Sequence, residues 1–433
     1  MIAVFSPANP VIVVGAGPAG ATAARALAAR GVPVRLLDRA AFPRNKPCGG
    51  GISVRALTRF PYLSAELARI ATHSVSRLHL EGPDGDSTVV NADEPAALMI
   101  RRVEFDALLV SLAQEAGAEL VTGADIVQAR DDDDGVTLSA RDGRVFRAPI
   151  VIAADGVHSV VARRLGINPG WSSAAVALDM MEETPRSALR DVDPSTLWVS
   201  YGFDPAGLRP VGGKRSAAEG YAYIFPKRDH VNIGIGYVLS HYRAAIDRAP
   251  YDLQRSFVAA LRDRGIVVGD SVRKNFTPFL IPVGGPLRDP GRGRVLVAGD
   301  AGGFVNGFTA EGIYYAMVSG ELAAKVVAAG GDVSQLAARY RRACNDEVGA
   351  ELRDSVLIQR YLFADRRRIA AVINGAQRAA PTTRAILDFA MGRCSYRSLR
   401  RSLLTRSPVL AARLVWEQLR KNFVPPRATR SRM

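Results

Sequence analysis

The hydrophobic pattern near the start of the chain predicts a strand, a helix and a second strand in close succession. An apolar run from Val11 to Val14 leads into glycines, then into an alanine-rich stretch, and then into a second apolar run that ends at Asp38. Short apolar runs bounded by turn residues are typical of buried strands. We therefore expect a βαβ unit over this region.

The glycines between the first strand and the helix have GxGxxG spacing. Gly15 permits a tight turn, Gly17 lets a pyrophosphate approach the backbone, and Gly20 lets the helix pack closely on the strand. The helix N-terminus offers free N–H groups to phosphate, and Asp38 is placed to accept hydrogen bonds from a ribose. With Ala19, these are the predicted cofactor-binding positions of the unit. The motif alone does not distinguish FAD from NAD.

Two later patterns predict further elements. Residues 220–236 alternate apolar and polar positions around a Lys-Arg-Asp-His turn, which is typical of a β-hairpin. Near the C-terminus, Ser407 and Pro408 are placed to begin a helix that runs to Phe423, with apolar side chains on one face and basic side chains opposite.

Composition indicates a folded protein without a metal centre. Of the 433 residues, 48% are hydrophobic and 23% are charged. There is no apolar run of about 20 residues and no signal-peptide pattern at the start, so we expect a cytoplasmic protein. Three scattered cysteines and five histidines without ligand spacing predict neither disulfides nor a metal site.

The positive charge is concentrated at one end of the chain. The net charge is +15, and residues 359–433 hold 17 basic and 3 acidic side chains, whereas the preceding residues hold 40 and 39. No nucleic-acid-binding module accompanies this charge, so nucleic acid is not an expected partner. The basic helix that begins at Ser407 suits the surface of an anionic membrane, which would make the protein peripheral; alternatively, its apolar face packs on the rest of the protein.

Three segments resemble flavoproteins of the p-hydroxybenzoate hydroxylase fold: "RRVEFDALL", "VIAADGVHSVV" and "RVLVAGDAGG". This resemblance implies that the cofactor is FAD. It also implies that Arg102 approaches the cofactor, that Asp155 follows a buried strand, and that Asp300 reaches the ribityl chain. A helix beginning near Thr309 would point its positive end at the isoalloxazine. Further cofactor-binding positions implied by the resemblance are Ala124, Gly312 and Ile313.

Closer matches identify a group within this fold. The segments "NKPCGGGIS", "GYAYIFPKRDHVNIGIG" and "GDAGGFVNGFTAEGI" resemble the geranylgeranyl reductase family. The resemblance implies FAD-dependent reduction of isolated C=C bonds in a polyprenyl lipid or another apolar substrate. In the first segment, Cys48, Gly49 and Gly51 would lie beside the flavin, with the glycines letting the backbone approach the ring. Cys48, Tyr221 and Tyr223 are the candidate catalytic residues. The thiol would be a proton donor or a flavin contact. The phenols would form walls of the pocket rather than act as acids. The alternative for Cys48 is a small buried residue without a chemical role.

Three positions depart from the family pattern near the expected flavin. Tyr223 stands where the family usually has Trp, and Gly307 and Ala310 stand where it has Pro and Gly. These differences would reshape the substrate tunnel, so the natural substrate need not be a geranylgeranyl chain.

The expected architecture is α/β, with a Rossmann-like FAD-binding domain of the p-hydroxybenzoate hydroxylase type, an inserted antiparallel substrate domain and a helical C-terminal region. The predicted limits are 1–75, 98–170 and 281–340 for the discontinuous FAD-binding domain, 76–97 and 171–280 for the substrate domain, and 341–433 for the basic helical region.

The source of electrons and two rival functions stay open. There is no second GxGxxG between a strand and a helix, so either NADPH binds transiently or an electron donor protein reduces the flavin. One rival function is a flavin monooxygenase or halogenase of the same fold, although the chain has YAYIFP rather than the halogenase WxWxIP. The other is a non-catalytic flavin-binding accessory protein.

Overall fold

A computed structural model describes residues 5–378, apart from residues 84, 93, 190–192, 202, 204–218 and 247. The described residues form helices and four sheets, so the predicted α/β fold class is confirmed. The strands are β1 Val11–Val14, β2 Val34–Leu37, β3 Gly51–Ser53, β4 Thr72–Val75, β5 Arg77–Glu81, β6 Ser87–Asn91, β7 Ala97–Ile100, β8 Glu119–Val121, β9 Ile126–Asp132, β10 Gly135–Ala140, β11 Val145–Ala148, β12 Val151–Ala153, β13 Ala177–Pro185, β14 Thr196–Tyr201, β15 Gly220–Pro226, β16 His230–Val238, β17 Phe276–Ile281, β18 Gly291–Arg292 and β19 Val295–Val297. The helices are α1 Pro18–Ala28, α2 Val54–Arg59, α3 Tyr62–Glu66, α4 Arg102–Glu115, α5 Val160–Arg164, α6 Leu239–His241, α7 Pro250–Asp263, α8 Ile313–Ala328, α9 Leu336–Cys344, α10 Ala350–Phe363 and α11 Arg366–Arg378.

The predicted βαβ unit forms the centre of a six-stranded sheet with the order β18-β19-β12-β1-β2-β8. The strands from β19 to β8 are parallel, and Val13 lies opposite both Ile152 of β12 and Leu36 of β2. Val13 packs in the core formed with α1, α4 and α8, whereas Ile12 and Val14 face α5 and the small β9–β11 sheet. Because parallel strands point the same way, the carboxyl ends of β1, β2 and β12 meet at one edge.

A second sheet has the order β17-β13-β16-β15-β14-β5-β6, with strands from residues 77–91 and 177–281. The hairpin predicted over residues 220–236 is confirmed as the antiparallel pair β15 and β16. Successive side chains of β13 lie on opposite faces of the sheet. Met180 packs with α7 on one face, and Met181 packs with Tyr223 and the side chains of α10 and α11 on the other. The sheet is therefore covered on both faces.

Small residues bring α1 and α8 into close contact. A Cβ atom at Gly320 would lie 2.1 Å from the carbonyl oxygen of Ala19, and one at Gly299 would lie 2.9 Å from the Ala19 Cβ. Larger side chains would separate the helices. This packing holds the turn that follows β19 against the N-terminal half of α1.

The helix expected near Thr309 begins later in the chain. Residues 306–311 form a loop in which the Asn306 side chain accepts hydrogen bonds from the N–H groups of Phe308 and Thr309, both at 3.0 Å. Ala310 has φ +56°, which a right-handed helix does not allow. The helix α8 therefore begins only at Ile313.

The helix predicted from Ser407 to Phe423 lies outside the described residues. In the part of the chain that the structure describes, no helix combines the length and the hydropathy needed to cross a bilayer.

Candidate functional site

The glycine turn after β1 combines two crowded positions with one open position. A Cβ at Gly15, which has φ +95°, would lie 2.3 Å from the carbonyl oxygen of Ala154, and one at Gly20 would lie 1.7 Å from that of Gly15. At Gly17 the nearest atom to such a Cβ would be Nη2 of Arg44, at 3.7 Å. Gly17 is also the N-cap of α1, and no side chain caps the helix there. The open space and the uncapped helix end form a cradle for an anionic group.

Asp38 follows β2 and connects three segments at the edge where the carboxyl ends of β1, β2 and β12 meet. Its carboxylate accepts hydrogen bonds from the N–H groups of Ala16, at 2.7 Å, and Ala40, at 2.8 Å. Its carbonyl oxygen accepts a hydrogen bond from Ala124 N–H at 2.9 Å. Each carboxylate oxygen keeps acceptor capacity for a ribose hydroxyl. The predicted positions Asp38 and Ala124 therefore lie together, next to the glycine turn.

Two arginines share one buried carboxylate beside the cradle. Arg102 contacts both oxygens of Asp106, at 2.6 and 2.8 Å, and Arg44 Nη1 lies 3.1 Å from Asp106 Oδ2. Burial by itself would lower the pKa of Arg102, but Asp106 raises it above its ordinary value, so the guanidinium stays charged. Arg44 and Asp106 were not predicted as site residues from the sequence. The spacing of Arg102 and Asp106 on α4, four residues apart, was the available signal for the second of them.

The segment Cys48 to Gly51 lies between the second sheet and the small β3-β7-β4 sheet. Gly50 N–H donates to the Cys48 sulfur at 3.4 Å, and the Asn232 side chain donates to the Cys48 carbonyl oxygen at 2.7 Å. A Cβ at Gly49 would lie 2.7 Å from the ring of Phe225. One at Gly50, which has φ +76°, would lie 2.2 Å from the Ile100 carbonyl oxygen. Glycine is therefore required at 49 and 50 by protein neighbours.

The first and last residues of this segment have different surroundings. The Cys48 thiol lies near enough to the Arg102 guanidinium for the two groups to interact electrostatically. Gly51 begins β3, and the nearest atoms to a Cβ there would be those of the flexible Met99 side chain, at 3.8 Å.

Asp155 lies where expected, directly after β12, but its carboxylate is occupied by protein. It accepts hydrogen bonds from the Ser159 hydroxyl at 2.5 Å and from Val160 N–H at 2.8 Å, at the beginning of α5. Burial raises the pKa of Asp155 above its usual range. The geometry gives this carboxylate the role of positioning α5.

A cavity of about 260 Å³ adjoins α5. Arg163, Arg243 and His158 contribute to its lining, and neither arginine forms an ion pair with another described residue. The indole N–H of Trp171, also in the lining, is buried without a hydrogen-bond partner among the described residues. The cavity therefore offers positive charge and a free donor. Its remaining lining residues are Val157, Ser159, Asn168, Gly170, Ser173, Val176, Leu239 and Leu280.

Asp300 and the N-terminus of α8 face each other with unused hydrogen-bonding capacity. Neither carboxylate oxygen of Asp300 accepts a hydrogen bond from another described residue, and Oδ2 lies 4.0 Å from Lys46 Nζ. A Cβ at Gly312, the N-cap of α8, would lie 3.7 Å from Asp300 Oδ1. No side chain caps α8, which begins at Ile313. An acceptor for hydroxyl groups and a positive helix end therefore meet at one place.

One face of the second sheet is lined with aromatic rings and lies against the loop before α8. Tyr223 and Phe225 have ring centroids 4.5 Å apart, and Tyr201 stacks on Phe308 of that loop at 6.0 Å. Burial raises the pKa of the Tyr221 and Tyr223 phenols well above the ordinary value, so both stay protonated. We call this set the aromatic face; it consists of Tyr201, Tyr221, Tyr223, Phe225, Phe308 and Phe363.

A buried acid lies under the aromatic face. Asp179 of β13 is 5% exposed and accepts a hydrogen bond from the Tyr223 hydroxyl at 3.0 Å. Burial raises the pKa of Asp179 to about 7, although the Tyr223 hydrogen bond and the Lys46 charge lower it. Asp179 was not predicted as a site residue from the sequence, where its signal was a single acid within the apolar start of β13.

These groups fit a flavin dinucleotide. The cradle at Gly17 suits a pyrophosphate, the Asp38 carboxylate suits a ribose, and the unused acceptor capacity of the Asp300 carboxylate suits the hydroxyls of a ribityl chain. The uncapped end of α8 suits the electron-rich edge of a reduced isoalloxazine. Cys48 lies next to Gly49 and interacts electrostatically with Arg102.

The chain is similar in sequence to known proteins. Residues 8–232 match the family model described as "FAD binding domain". The chain is 32% identical to menaquinone reductase of Mycobacterium tuberculosis over 328 residues, which are 73% of this chain and 76% of that protein. It is 29% identical to digeranylgeranylglycerophospholipid reductase of Methanocella arvoryzae over 428 residues, 94% of this chain and 98% of that protein.

The fold has a solved counterpart in a geranylgeranyl bacteriochlorophyll reductase-like protein from Thermoplasma acidophilum. The TM-score is 0.69 at 21% identity, and the match covers 84% of this chain and 90% of that one. The chain therefore belongs to the FAD-dependent oxidoreductases with an FAD-binding domain of the p-hydroxybenzoate hydroxylase type, as a member of the geranylgeranyl reductase family.

Proposed function

We propose that the protein reduces isolated C=C bonds of a polyprenyl chain with electrons from FAD. The observation that carries this proposal is the aromatic face, which is largely buried, lies against Gly49 next to Cys48, and is hydrogen-bonded to the loop before α8. An alkene without polar neighbours offers nothing to hydrogen-bond, so an enzyme must hold it by apolar contact and keep water away. The large aromatic rings of this face suit the task of holding an alkene and excluding water.

The names of the relatives support the same substrate class. One is a reductase of menaquinone and another is a reductase of digeranylgeranylglycerophospholipid. Both molecules carry polyprenyl chains but have different head groups. The shared part of these substrates is the chain, which is also the part that an aromatic face would bind.

The residues around the site would each have a different role in the reaction. When bound, reduced FAD supplies a hydride from its N5 atom. The end of α8 would stabilise negative charge on the ring, and Asp300 would orient the ribityl chain. The aromatic face would hold the double bond in position by apolar contact. The Cys48 thiol lies at the edge of this face beside Arg102, where it would contact the ring or donate a proton.

The electron donor is proposed to be NADPH or a reduced redox protein. The cavity beside α5 supports NADPH, because Arg163, Arg243 and His158 suit its phosphates. A protein donor would need no such cavity.

We further propose that the protein acts in the cytoplasm at the membrane surface, with the basic C-terminal residues as the contact. Their excess of positive charge supports this, since each cation near an anionic bilayer contributes about 1 kcal/mol. Sedimentation of the full chain with anionic and with neutral vesicles tests it. Equal binding to both would contradict the proposal.

An anaerobic assay tests the reductase activity. The purified flavoprotein is reduced with dithionite and mixed with geranylgeranyl diphosphate or a geranylgeranylated lipid. We expect flavin reoxidation together with product masses that increase in steps of two hydrogens. Flavin that stays reduced until air is admitted, followed by oxygen in an aromatic product, would instead assign a monooxygenase. Bound FAD with neither reaction would favour an accessory protein.

A further inference from the structure

Saturating a C=C bond needs a proton as well as a hydride, and the aromatic face contains one arrangement that can hold it. Tyr223 of β15 and Asp179 of β13 are hydrogen-bonded at 3.0 Å although β16 lies between their strands. Asp179 Oδ1 is buried without a hydrogen-bond partner among the described residues. A buried, half-satisfied carboxyl is costly to keep, so its place beneath the face requires a reason.

Two glycines of β16 make the contact possible. A Cβ at Gly234 would lie 2.3 Å from Cζ of Tyr223, and one at Gly236 would lie 3.4 Å from Asp179 Oδ1. The tyrosine ring therefore lies across β16 in the space that a side chain at Gly234 would fill. The Gly-Ile-Gly run of this strand serves to bring the phenol to the acid.

The surroundings of Asp179 contain little charge. At the paired positions of the neighbouring strands stand Gly236 and Phe279, which do not ionise. Lys46 is the cation that acts on Asp179, and it also lies 4.0 Å from Asp300. Among the described residues, the Tyr221 and Tyr223 phenols also lie near enough to interact electrostatically with Asp179, and Cys48 lies near enough to interact with both phenols.

We propose that Asp179 is a positioning residue that holds the proton of the reduction and passes it through the Tyr223 hydroxyl to the alkene. This inference rests on the proposed reductase function. When Asp179 is ionised, the hydroxyl donates to it, as in the structure. When Asp179 is protonated, the carboxyl donates instead, and the phenolic hydrogen is free to point into the site.

The step balances in atoms and electrons. One alkene carbon receives the hydride, with both electrons, from reduced FAD, which is thereby oxidised. The other carbon forms its C–H bond with the Tyr223 proton, while the phenolic oxygen takes the proton of Asp179. The carboxylate that remains is reprotonated from water before the next turnover. Burial raises the pKa of Asp179 to about 7, so near neutral pH a large share of these carboxyl groups still holds the proton that an ordinary aspartate has lost.

The first experiment measures the proton without turnover. Infrared spectra of the holoenzyme at pH 6 to 8 are compared for the wild type, Asp179→Asn and Tyr223→Phe. We expect the band of a protonated carboxyl in the wild type and in Tyr223→Phe, and its loss in Asp179→Asn. An unchanged carboxyl band in Asp179→Asn would overturn the proposal.

The second experiment follows reoxidation of the reduced flavin by geranylgeranyl diphosphate over pH. General acids contribute at least about 100-fold, so we expect a loss of that size in Asp179→Asn and in Tyr223→Phe, and no greater loss when both are combined. Wild-type pH dependence in Asp179→Asn would contradict the assignment. The matched control is Glu182→Gln, because Glu182 is a fully buried acid of the same strand on the opposite face, bonded to Ser271.

Failure of the proposed function remains distinguishable from failure of this inference. If the wild type shows no reoxidation with the polyprenyl substrate, the reductase function and the destination of the proton are both wrong. The infrared band then still decides whether Asp179 holds a proton.

Discussion

The Tyr221 hydroxyl lies 2.8 Å from the carbonyl oxygen of Thr309 and donates a hydrogen bond to it. This bond joins β15 of the aromatic face to the loop that precedes α8. That loop ends beside Asp300, so the bond couples the candidate substrate surface to the candidate flavin surface. Tyr221→Phe keeps the ring and removes the bond. We expect a loss of about 1 kcal/mol in the free energy of unfolding and weaker retention of FAD, measured by denaturant titration and by flavin absorbance.

Tyr201→Phe is the matched control for this variant. Tyr201 belongs to the same face, but its hydroxyl makes no hydrogen bond to another described residue, and its ring stacks on Phe308. Removing this hydroxyl should change the stability less and leave FAD retention as it was. Equal effects of the two variants would show that the bond to Thr309 does not hold the loop.

Gly17 and Gly20 should respond differently to alanine, although both belong to the glycine motif. At Gly20 the new Cβ would lie 1.7 Å from a backbone oxygen, and we expect a loss of at least about 2 kcal/mol in unfolding free energy. At Gly17 the nearest protein atom would be 3.7 Å away, so the apoprotein should fold normally. The Cβ would instead occupy the cradle, so Gly17→Ala should lose FAD affinity.

Stability is measured for the apoproteins, and FAD affinity is measured by flavin fluorescence. If Gly17→Ala binds FAD as the wild type does, the cradle does not hold the pyrophosphate. If both variants are equally unstable, the difference between a packing glycine and a ligand glycine is wrong.

Local motifs were enough to predict the FAD-binding part of the fold. The βαβ unit from Val11 to Asp38 depends on contacts between residues that are close in sequence, and turn chemistry specifies it. The hairpin β15–β16 was predictable for the same reason. The start of α8 was not, because the Asn306 side chain and the positive φ of Ala310 hold a loop where the motif alone suggested a helix.

Contacts between distant segments explain what the sequence did not reveal. Asp179 and Tyr223 are 44 residues apart and meet only because two glycines of a third segment leave room. Gly49 was attributed to the approach of the flavin, whereas the structure places the Phe225 ring against it. Such pairings depend on sheet register, and a single sequence carries no direct signal of it.

Ala310 is a strained residue at a position where the family has glycine. Its φ of +56° lies in the left-handed region, which costs a residue with a Cβ about 1–2 kcal/mol. Ala310→Gly should remove this strain, and the greater flexibility of glycine in the unfolded chain offsets part of the gain. We expect a net increase of about 0.5–1 kcal/mol in unfolding free energy by chemical denaturation. A loss of stability would mean that the alanine methyl packs favourably in the loop.

Arg243 tests whether the cavity beside α5 binds NADPH. One charge-assisted contact to a phosphate contributes about 1.5–3 kcal/mol, so Arg243→Ala should weaken NADPH binding by at least about tenfold. Reduction by dithionite, followed by substrate-driven reoxidation, should keep its wild-type rate because it bypasses the cavity. Flavin reduction by NADPH is measured anaerobically by stopped flow.

Arg164→Ala is the control for charge. Arg164 belongs to α5, which adjoins the cavity, but its guanidinium donates to the carbonyl oxygen of Val127 rather than lining the cavity. It should leave NADPH binding close to the wild-type value. A wild-type affinity in Arg243→Ala would place the electron donor elsewhere.

The protonation of Asp179 should also be visible in the pH dependence of stability, without substrate. Its pKa is about 7 in the folded protein and about 3.9 in an unfolded chain, so between these values only the folded state holds the proton. Stability from this group is complete below about pH 4 and is lost as the pH rises through 7. Three pKa units correspond to about 4 kcal/mol.

Asparagine does not titrate, so the stability of the wild type relative to Asp179→Asn should fall by this amount between pH 4 and pH 7. Tyr223→Phe removes a hydrogen bond that lowers the pKa and should extend the fall to higher pH. Parallel stability curves for the wild type and Asp179→Asn would show that the carboxyl is ionised throughout this pH range. They would contradict the proposal that Asp179 holds a proton.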